Sequence, residues 1–347
     1  MPEKSALTPK LAAPQHGPRP LPLFLKMLGD ETGRDPARMA RALEGLRRYQ
    51  QADRPRAAEP MPAVAGSHGA ALRDYGGTGA PVVFIPSLIN PPNILDLGRD
   101  RSLLRWLAEQ GHRPLLLDWG WDIDARRGLS VAGHVEEIAI PLIRALGEPA
   151  HLVGYCLGGT MAIGAAACVN ARSVATLAAP WFFSRFPPDA RAMLAQLWQS
   201  AKPAAESLGL LPMEVLQSAF WSLDPARTVS KFEAFADVPE PSLEARMFVT
   251  MEDWANDGPP LGGAAARELF EGFFAADTPG AGAWIAGPEA LPCPLLNIVS
   301  TTDRIVPAAT APRAGERLEL TQGHVGMVVG SRAREVLWRP LSAWLSR

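Results

Sequence analysis

The feature that most constrains the fold of this chain is the hexapeptide Gly154-Tyr155-Cys156-Leu157-Gly158-Gly159. The apolar pair Leu152-Val153 precedes it and a small-residue run, Thr160 to Ala167, follows it, which predicts a strand, a sharp turn and a helix. The glycines indicate a strained turn with no room for side chains. This pattern is typical of a nucleophile elbow written G-x-C-x-G, with Cys156 as the candidate nucleophile. The hexapeptide alone leaves open that Cys156 is a small apolar residue in a close-packed turn.

Two segments further along the chain supply a candidate acid and a candidate base. Residues 294–300 predict a buried strand, and Asp303 lies in the loop that follows. Residues 317–321 predict a short strand, and His324 lies in a glycine-bracketed loop before a closing helix at about residues 333–345. Each residue alone is a weak signal, because loop aspartates often cap helices and loop histidines are often solvated. Together they follow the chain order nucleophile, acid, histidine, which is the order of α/β-hydrolases.

The composition excludes several classes of protein. With 347 residues, 47% apolar and 20% charged, the chain has an ordinary globular composition and the length of one large α/β domain with an inserted cap, or of two small domains. A formal charge of −2 provides no field that would recruit nucleic acid or an anionic membrane. No run approaches the roughly 20 apolar residues of a membrane span, and no secretion signal is evident. We therefore expect a cytoplasmic protein.

The cysteine count agrees with a reducing compartment. Cys156, Cys168 and Cys293 show neither metal-ligand spacing nor the even number of a disulfide framework. We expect no metal site. Cys168 falls inside the predicted small-residue helix and Cys293 lies between two prolines, so both are expected to fill space and not to take part in chemistry.

Residues 1–75 are expected to form an N-terminal extension. Residues 1 to about 22 are rich in proline and basic side chains without periodicity, which indicates disorder or loose attachment. Helical spacing of apolar side chains then predicts an amphipathic helix over residues 36–51, followed by a linker over residues 54–66. That helix is expected to be an accessory or partner-binding element, and packing against the core is equally consistent with its pattern.

Residues 76–180 and 289–347 are expected to form the catalytic core. Predicted strands at residues 81–86, 114–119 and 174–179 alternate with helices, which implies a doubly wound, mostly parallel sheet of the α/β-hydrolase type. Between the two halves, residues 181–288 show helical patterns with bulky aromatics and no buried-strand run. This segment is expected to be a mainly helical cap that covers the nucleophile and excludes water. Most of its aromatic residues are expected to form the core of the cap.

The candidate residues support acyl transfer through a cysteine. His324 would activate the thiol of Cys156, oriented by Asp303, while Asp118 at the end of another predicted strand stays an alternative acid. The backbone N–H groups of Leu157 and Ile89 would hold the oxyanion. Moving an acyl group from a thioester to cysteine forms another thioester. The acyl group therefore keeps its activation for a second acceptor, which an acyltransferase needs and a hydrolase does not.

These motifs resemble the polyhydroxyalkanoate synthases, and most closely the short, two-component type called class III. The resemblance covers roughly residues 80–345 and rests on Phe84 to Asn90, Ile94 to Leu97, Ser102 to Arg105, Asp118-Trp119-Gly120, the cysteine hexapeptide, Met251 to Asp257, Thr302 to Pro307 and Gly323 to Met327. After Asn90, where the family usually has bulky residues such as tyrosine, this chain has Pro91-Pro92-Asn93.

The resemblance implies a synthase that polymerises (R)-3-hydroxyacyl-CoA, releases CoA and carries the polyester on Cys156. His324 would be the base, Asp303 would assist His324 or the incoming hydroxyl, and Asn90 would lie near the substrate. The thioester is a substrate and no cofactor is implied. The resemblance leaves open a homodimer, a partner subunit and attachment to a polyester granule. A cysteine hydrolase, acting as acyl-CoA thioesterase or polyester depolymerase, is the alternative enzyme, and a catalytically silent granule-associated or regulatory subunit is a third reading.

Overall fold

The computed structural model describes residues 17–33, 35–54 and 59–347. Its strands are β1 (Ala63–Ser67), β2 (Ala70–Asp74), β3 (Pro81–Ile85), β4 (Arg113–Asp118), β5 (Ala150–Tyr155), β6 (Ala171–Leu177), β7 (Leu210–Leu211), β8 (Leu261–Gly262), β9 (Leu295–Ser300) and β10 (Glu316–Leu320).

The α-helices are α1 (Leu21–Thr32), α2 (Pro36–Gln51), α3 (Leu103–Glu109), α4 (Val131–Gly133), α5 (Ile140–Arg144), α6 (Leu157–Ala166), α7 (Pro188–Leu208), α8 (Met213–Ser222), α9 (Pro225–Phe235), α10 (Leu243–Ala255), α11 (Gly263–Arg267), α12 (Gly326–Val329) and α13 (Arg339–Leu345). Three π-helical segments extend them: His134–Ala139 joins α4 to α5, Glu268–Ala275 continues α11, and Arg334–Trp338 precedes α13.

The larger of two units contains residues 59–223 and 257–347 and is built on one sheet. The strands of this sheet lie in the order β1-β2-β4-β3-β5-β6-β9-β10. From β4 to β10 all neighbours pair in parallel, while β2 pairs antiparallel with both β1 and β4. β3 and β9 are buried along their whole length, as expected of parallel strands covered on both faces. The predicted doubly wound, mostly parallel sheet is therefore confirmed.

The sheet brings the candidate residues to one edge. Cys156 directly follows β5, Asp303 follows β9 and His324 follows β10. Because the carboxyl ends of parallel strands meet at the same edge, the loops after these three strands are neighbours although the residues lie far apart in the sequence.

The smaller unit consists of residues 17–33, 35–54 and 224–256, and contains α1, α2, α9 and α10. Helix α2 has the predicted bounds and is capped by Asp35, whose side chain accepts the N–H of Ala37 and Arg38. It packs so closely on α9 that a Cβ on Gly45 would lie 1.9 Å from the carbonyl oxygen of Phe232. The core of this unit is aromatic and includes Phe24, Tyr49, Phe232, Phe235 and Phe248.

Several elements differ from the sequence expectation. β1 and β2 add a hairpin to the sheet within residues 63–74, where an N-terminal extension and linker were expected. Its two-residue turn, His68-Gly69, has φ values of +50° and +76°, as a type I′ turn requires. The hairpin was not predicted from the sequence because β1 is a largely exposed edge strand, in which apolar and polar residues do not alternate.

The expected N-terminal and cap segments also differ. Of the residues expected to be loosely attached, 1–16 lie outside the described residues, as do 55–58 of the linker, and α1 begins at Leu21. Within residues 181–288, the short strands β7 and β8 pair antiparallel, and residues 224–256 group with α1 and α2. Strands of two residues are too short to produce a periodic signal in the sequence.

Candidate active site

Cys156 lies in the turn between β5 and α6 and is half-buried. Its φ of +57° and ψ of −131° belong to a region that side-chain-bearing residues rarely adopt. The glycines around it are required by close backbone approach. A Cβ on Gly154 would lie 2.3 Å from the carbonyl oxygen of Gly158, and a Cβ on Gly158 would lie 2.0 Å from that of Ile85. The strand, strained turn and helix predicted from the hexapeptide are therefore present.

Gly158→Ala is expected to destabilise the protein strongly. The added methyl group would meet the backbone of Ile85, which cannot move without shifting β3, so we expect a loss of about 3 kcal/mol. Gly128→Ala is the matched control, because no atom lies within 4 Å of the Cβ position there and the change should stay within about 0.5 kcal/mol. Urea unfolding of both variants checks this, and equal stabilities would contradict the close approach.

Asp303 and His324 form a buried hydrogen-bonded pair. Nδ1 of His324 and Oδ2 of Asp303 are 2.6 Å apart. The other carboxylate oxygen, Oδ1, accepts the N–H groups of Ile305 at 2.8 Å and Val306 at 3.0 Å, which fixes the carboxylate. The side chain of Cys156 lies close enough to the ring of His324 to influence the pKa of that ring. Because Nδ1 is occupied by Asp303, Nε2 is the ring nitrogen left for Cys156. The structure thus brings together all three predicted side chains.

The charges around His324 favour its protonated form. Burial on its own lowers the pKa of His324, because an imidazolium loses its hydration. The negative charges of Asp303 and of a Cys156 thiolate, with the hydrogen bond to Asp303, outweigh burial and raise this pKa to about 10. At neutral pH the ring is therefore an imidazolium.

The ring of His324 is expected to stay protonated from pH 5 to beyond pH 8. Its folded pKa of about 10 exceeds the ordinary value of 6.5. The protonated His324 ring therefore contributes to the free energy of unfolding in full below pH 6.5, and this contribution is lost as the pH rises through about 10. Burial lowers the pKa of His151 to about 4, so His151 is the control and should be neutral throughout this range. Ring ¹⁵N NMR titration measures both, and a His324 midpoint near 6.5 would contradict the prediction.

Of the predicted oxyanion and substrate residues, Leu157 and Ile89 line the same cavity as Cys156. Leu157 is the first residue of α6, so its N–H has no acceptor within the helix and stands at the positive end of the helix dipole. The N–H of Ile89 donates to Oγ of Ser87 at 3.0 Å and is engaged locally. Asn90 has a φ of +63°, and its Nδ2 lies 3.4 Å from the carbonyl oxygen of Asp257. Leu157 and Ile89 line the cavity described below, and Asn90 follows directly after Ile89.

Tyr155 contacts and supports His324, a role that was not predicted from the sequence. Its ring stacks on the imidazole with a centroid distance of 5.0 Å, and its hydroxyl donates to the His324 carbonyl oxygen at 3.3 Å. Burial, with the charges of Cys156 and Asp303, raises the pKa of Tyr155 well above its usual value, so the hydroxyl stays a neutral donor. The only sequence signal was its place directly before the cysteine.

The competing acid and the other histidines are engaged elsewhere. Asp118 accepts a hydrogen bond from Nε of Arg73 at 2.6 Å and another from the N–H of Gly120 at 3.0 Å, so both of its carboxylate oxygens have partners other than His324. Three more histidines bind nearby serine oxygens, in the pairs His112–Ser342, His134–Ser130 and His151–Ser173. These interactions agree with structural roles.

The two other cysteines lie apart from this constellation. Cys168 was expected inside the helix after the elbow, but α6 ends at Ala166 and Cys168 is exposed in the turn beyond it. The helix ends early because Ala171 already begins β6, and the short connection leaves no room for another turn of helix. Cys293 is half-buried, and burial raises the pKa of its thiol, which keeps it in the unreactive form.

A cavity of about 490 Å³ lies against Cys156. Ile89, Leu157 and the loop from Asp303 to Pro307 form one side of it. Apolar side chains of α7, α8 and the π-helical segment Glu268–Ala275 form the other. Apart from Cys156, the charged or hydrogen-bonding side chains among the described lining residues are Asp189, Asp303 and Arg304.

No group of three or more His, Cys, Asp or Glu side chains within residues 17–33, 35–54 and 59–347 could hold a metal ion. In the same part of the chain, none of the helices has the length and apolar character needed to cross a membrane.

The comparisons with known proteins agree with this fold. A sequence model of the alpha/beta hydrolase family matches residues 82–337, so the chain belongs to the alpha/beta hydrolase family. A solved esterase from Thermogutta terrifontis has the same fold, with a TM-score of 0.51 and 17% identity over 83% of this chain and 98% of that one.

The chain is also similar to curated proteins named poly(3-hydroxyalkanoate) polymerase subunit PhaC. The one from Haloferax mediterranei is 28% identical over 287 residues, which cover 77% of this chain and 58% of that protein. The one from Allochromatium vinosum is 26% identical over 290 residues, covering 77% and 80%. The chain therefore spans less than two thirds of the Haloferax protein. These similarities confirm the resemblance inferred from the motifs.

Proposed function

We propose that this protein is an acyltransferase that takes (R)-3-hydroxyacyl groups from CoA thioesters onto Cys156 and joins them into a polyester. The observation that carries the proposal is the hydrogen-bonded pair of Asp303 and His324 next to Cys156, beside an apolar cavity. The similarity to proteins named as poly(3-hydroxyalkanoate) polymerase subunits supports the polymer product.

Loading begins with a thiolate. Sγ of Cys156 attacks the thioester carbonyl carbon, and the carbonyl oxygen becomes an oxyanion. The N–H of Leu157 at the start of α6 is placed to stabilise that charge. The bond to CoA sulfur then breaks, the new thioester to Cys156 remains, and the departing thiolate takes the proton from Nε2 of His324.

Elongation uses the same groups, but the proton now moves to His324 and not away from it. The 3-hydroxyl group of a second acyl unit gives its proton to the now neutral Nε2 of His324 and attacks the carbonyl carbon on Cys156. An ester bond forms, Sγ leaves as a thiolate, and His324 is again an imidazolium. Asp303 holds the ring through Nδ1 and stabilises each protonated stage.

The second oxyanion donor requires a local change. The N–H of Ile89 points to Oγ of Ser87 in the structure, so it reaches the oxyanion only when it leaves or shares that contact. A change of the χ1 rotamer of Ser87, which moves Oγ, would release it, and we propose that substrate binding provides this change.

The walls of the cavity favour transfer over hydrolysis. Water and a hydroxyl group attack the same acyl-enzyme, so the three reacting side chains do not distinguish the two acceptors. The lining is mainly aliphatic and aromatic, and such a lining disfavours ordered water beside Cys156.

One assay tests the proposed function. The protein is incubated with 3-hydroxyacyl-CoA thioesters of different chain lengths while CoA release, insoluble polymer and free hydroxy acid are measured. CoA release with polymer is the expected result. Release matched by free acid would make the protein a thioesterase, and the absence of release with every thioester would contradict both reactions.

A further inference from the structure

The cavity beside Cys156 is far larger than a short acyl group needs. An apolar cavity of about 150 Å³ holds one benzene, and the roughly 490 Å³ here is about three times that space. The tail of a 3-hydroxybutyryl group beyond its hydroxyl carbon is a single methyl group. A 3-hydroxybutyryl group by itself would fill only a small part of this apolar space.

Two helices present mainly apolar faces to this space, with Asp189 at the start of α7 as the charged exception. Leu216, Ala219, Phe220 and Leu223 recur at the spacing of one face of α8 and its C-cap, and all four line the cavity. Ala190 and Met193 line it from α7 with the same periodicity. An apolar helical face that borders a cavity is suited to an apolar ligand.

The cavity lining has few hydrogen-bond donors, and this favours an alkyl tail over a growing polyester as its occupant. A growing polyester would bring ester oxygens into the cavity, and each would lose its water without a replacement. Apart from Cys156, the hydrogen-bond donor among the described lining side chains is Arg304, which is exposed. An alkyl tail has no oxygen to satisfy, so it matches this lining.

We propose that the cavity holds the alkyl tail of the incoming acyl group, and that the protein prefers 3-hydroxyacyl-CoA with about eight to twelve acyl carbons over 3-hydroxybutyryl-CoA. This proposal rests on the proposed function, which supplies the acyl-transfer reaction whose substrate the cavity would select. Ala219 limits the space on the α8 side and is therefore a residue that determines specificity.

The first test is the chain-length dependence of kcat/KM, measured by CoA release from 3-hydroxyacyl-CoA with 4 to 14 acyl carbons. Each buried methylene should raise the value by about fourfold until the cavity is filled. The four methylenes added from four to eight carbons should therefore give about 250-fold if all are buried, and at least about tenfold if only two of them are. A maximum at four carbons would overturn the proposal and leave the proposed function intact.

The second test fills the cavity. Ala219→Phe should lower the ratio of kcat/KM for the ten-carbon substrate to kcat/KM for the four-carbon substrate at least tenfold, because the new ring occupies the space of the tail. Ser222→Phe is the matched control, since Ser222 is exposed on the same helix and does not line the cavity. Ala190→Phe on α7 repeats the test independently if the first variant fails to fold. Equal losses for both substrates, or shorter polymer with unchanged acyl preference, would overturn the proposal.

A binding measurement separates failure of this proposal from failure of the proposed function. Calorimetry with the Cys156→Ala variant compares 3-hydroxydecanoyl-CoA with 3-hydroxybutyryl-CoA, without turnover. At least tenfold tighter binding of the longer thioester supports the cavity assignment even if the wild type releases no CoA. Equal affinities would contradict the assignment whatever the reaction proves to be.

Discussion

Cys156→Ala is expected to lower CoA release from 3-hydroxyacyl-CoA by at least about 10³-fold. The thiolate forms the bond to the acyl group in the proposed reaction, and no other described side chain at the turn offers a nucleophile. Cys156 is half-buried, and alanine removes little volume, so the free energy of unfolding should change by no more than about 1 kcal/mol. Circular dichroism and urea unfolding of the variant establish that the fold is intact before rates are compared.

Two cysteine controls make this result specific. Cys168→Ala removes an exposed thiol and Cys293→Ala a half-buried one, and both variants should retain the wild-type rate of CoA release. Mass spectrometry of the wild type after one turnover should find the acyl group on the peptide that contains Cys156. Substantial CoA release by a folded Cys156→Ala protein would show that another group accepts the acyl unit.

His324→Ala is expected to reduce the rate of single-turnover acyl loading at least about 10³-fold. Asp303→Ala is expected to reduce the same rate only about tenfold. In the proposed reaction, His324 holds the proton that accompanies the thiolate and leaves with CoA. Asp303 reaches the reaction through Nδ1 of His324, at 2.6 Å, and so orients and charges the ring without touching the substrate. The acyl-enzyme should therefore still form once in the Asp303 variant.

Asp118→Ala is the matched control for the acid. Asp118 pairs with Arg73, and its variant should load at the wild-type rate. Rapid quenching and mass spectrometry of intact protein give the fraction of acyl-enzyme with time. Loading by His324→Ala at the wild-type rate would contradict its assignment as the base. Complete failure of Asp303→Ala to load would show that the histidine does not function without its carboxylate.

Local signals were enough to predict much of the fold. The helix at Pro36–Gln51 was predicted with its observed bounds, because apolar residues recur there at helical spacing and Asp35-Pro36 forms a clear start. The buried parallel strands were predicted within a few residues, because continuous apolar runs bounded by turns are characteristic of them. The hairpin of β1 and β2 was missed, since small residues on an exposed edge carry no such run.

The assignment of helices to units could not be predicted in the same way. Residues 181–288 were expected to form one cap, but residues 224–256 group with α1 and α2. Gly45 allows α2 to lie directly on α9, and the aromatic side chains of Phe232, Phe235 and Phe248 complete that core. An apolar helix face shows that a partner exists, and only packing shows which element it is.

The sequence by itself determined the elbow, the order of Cys156, Asp303 and His324, and the sheet edge at which they meet. These follow from periodicity, from glycines that a strained turn requires, and from the rule that parallel strands end on one side. Only the tertiary structure decided that Tyr155 stacks on His324, that Ser87 engages the N–H of Ile89, and that a face of α8 opens onto a large apolar cavity. Those features depend on distances and free volume between packed elements, and such quantities have no periodicity along the chain.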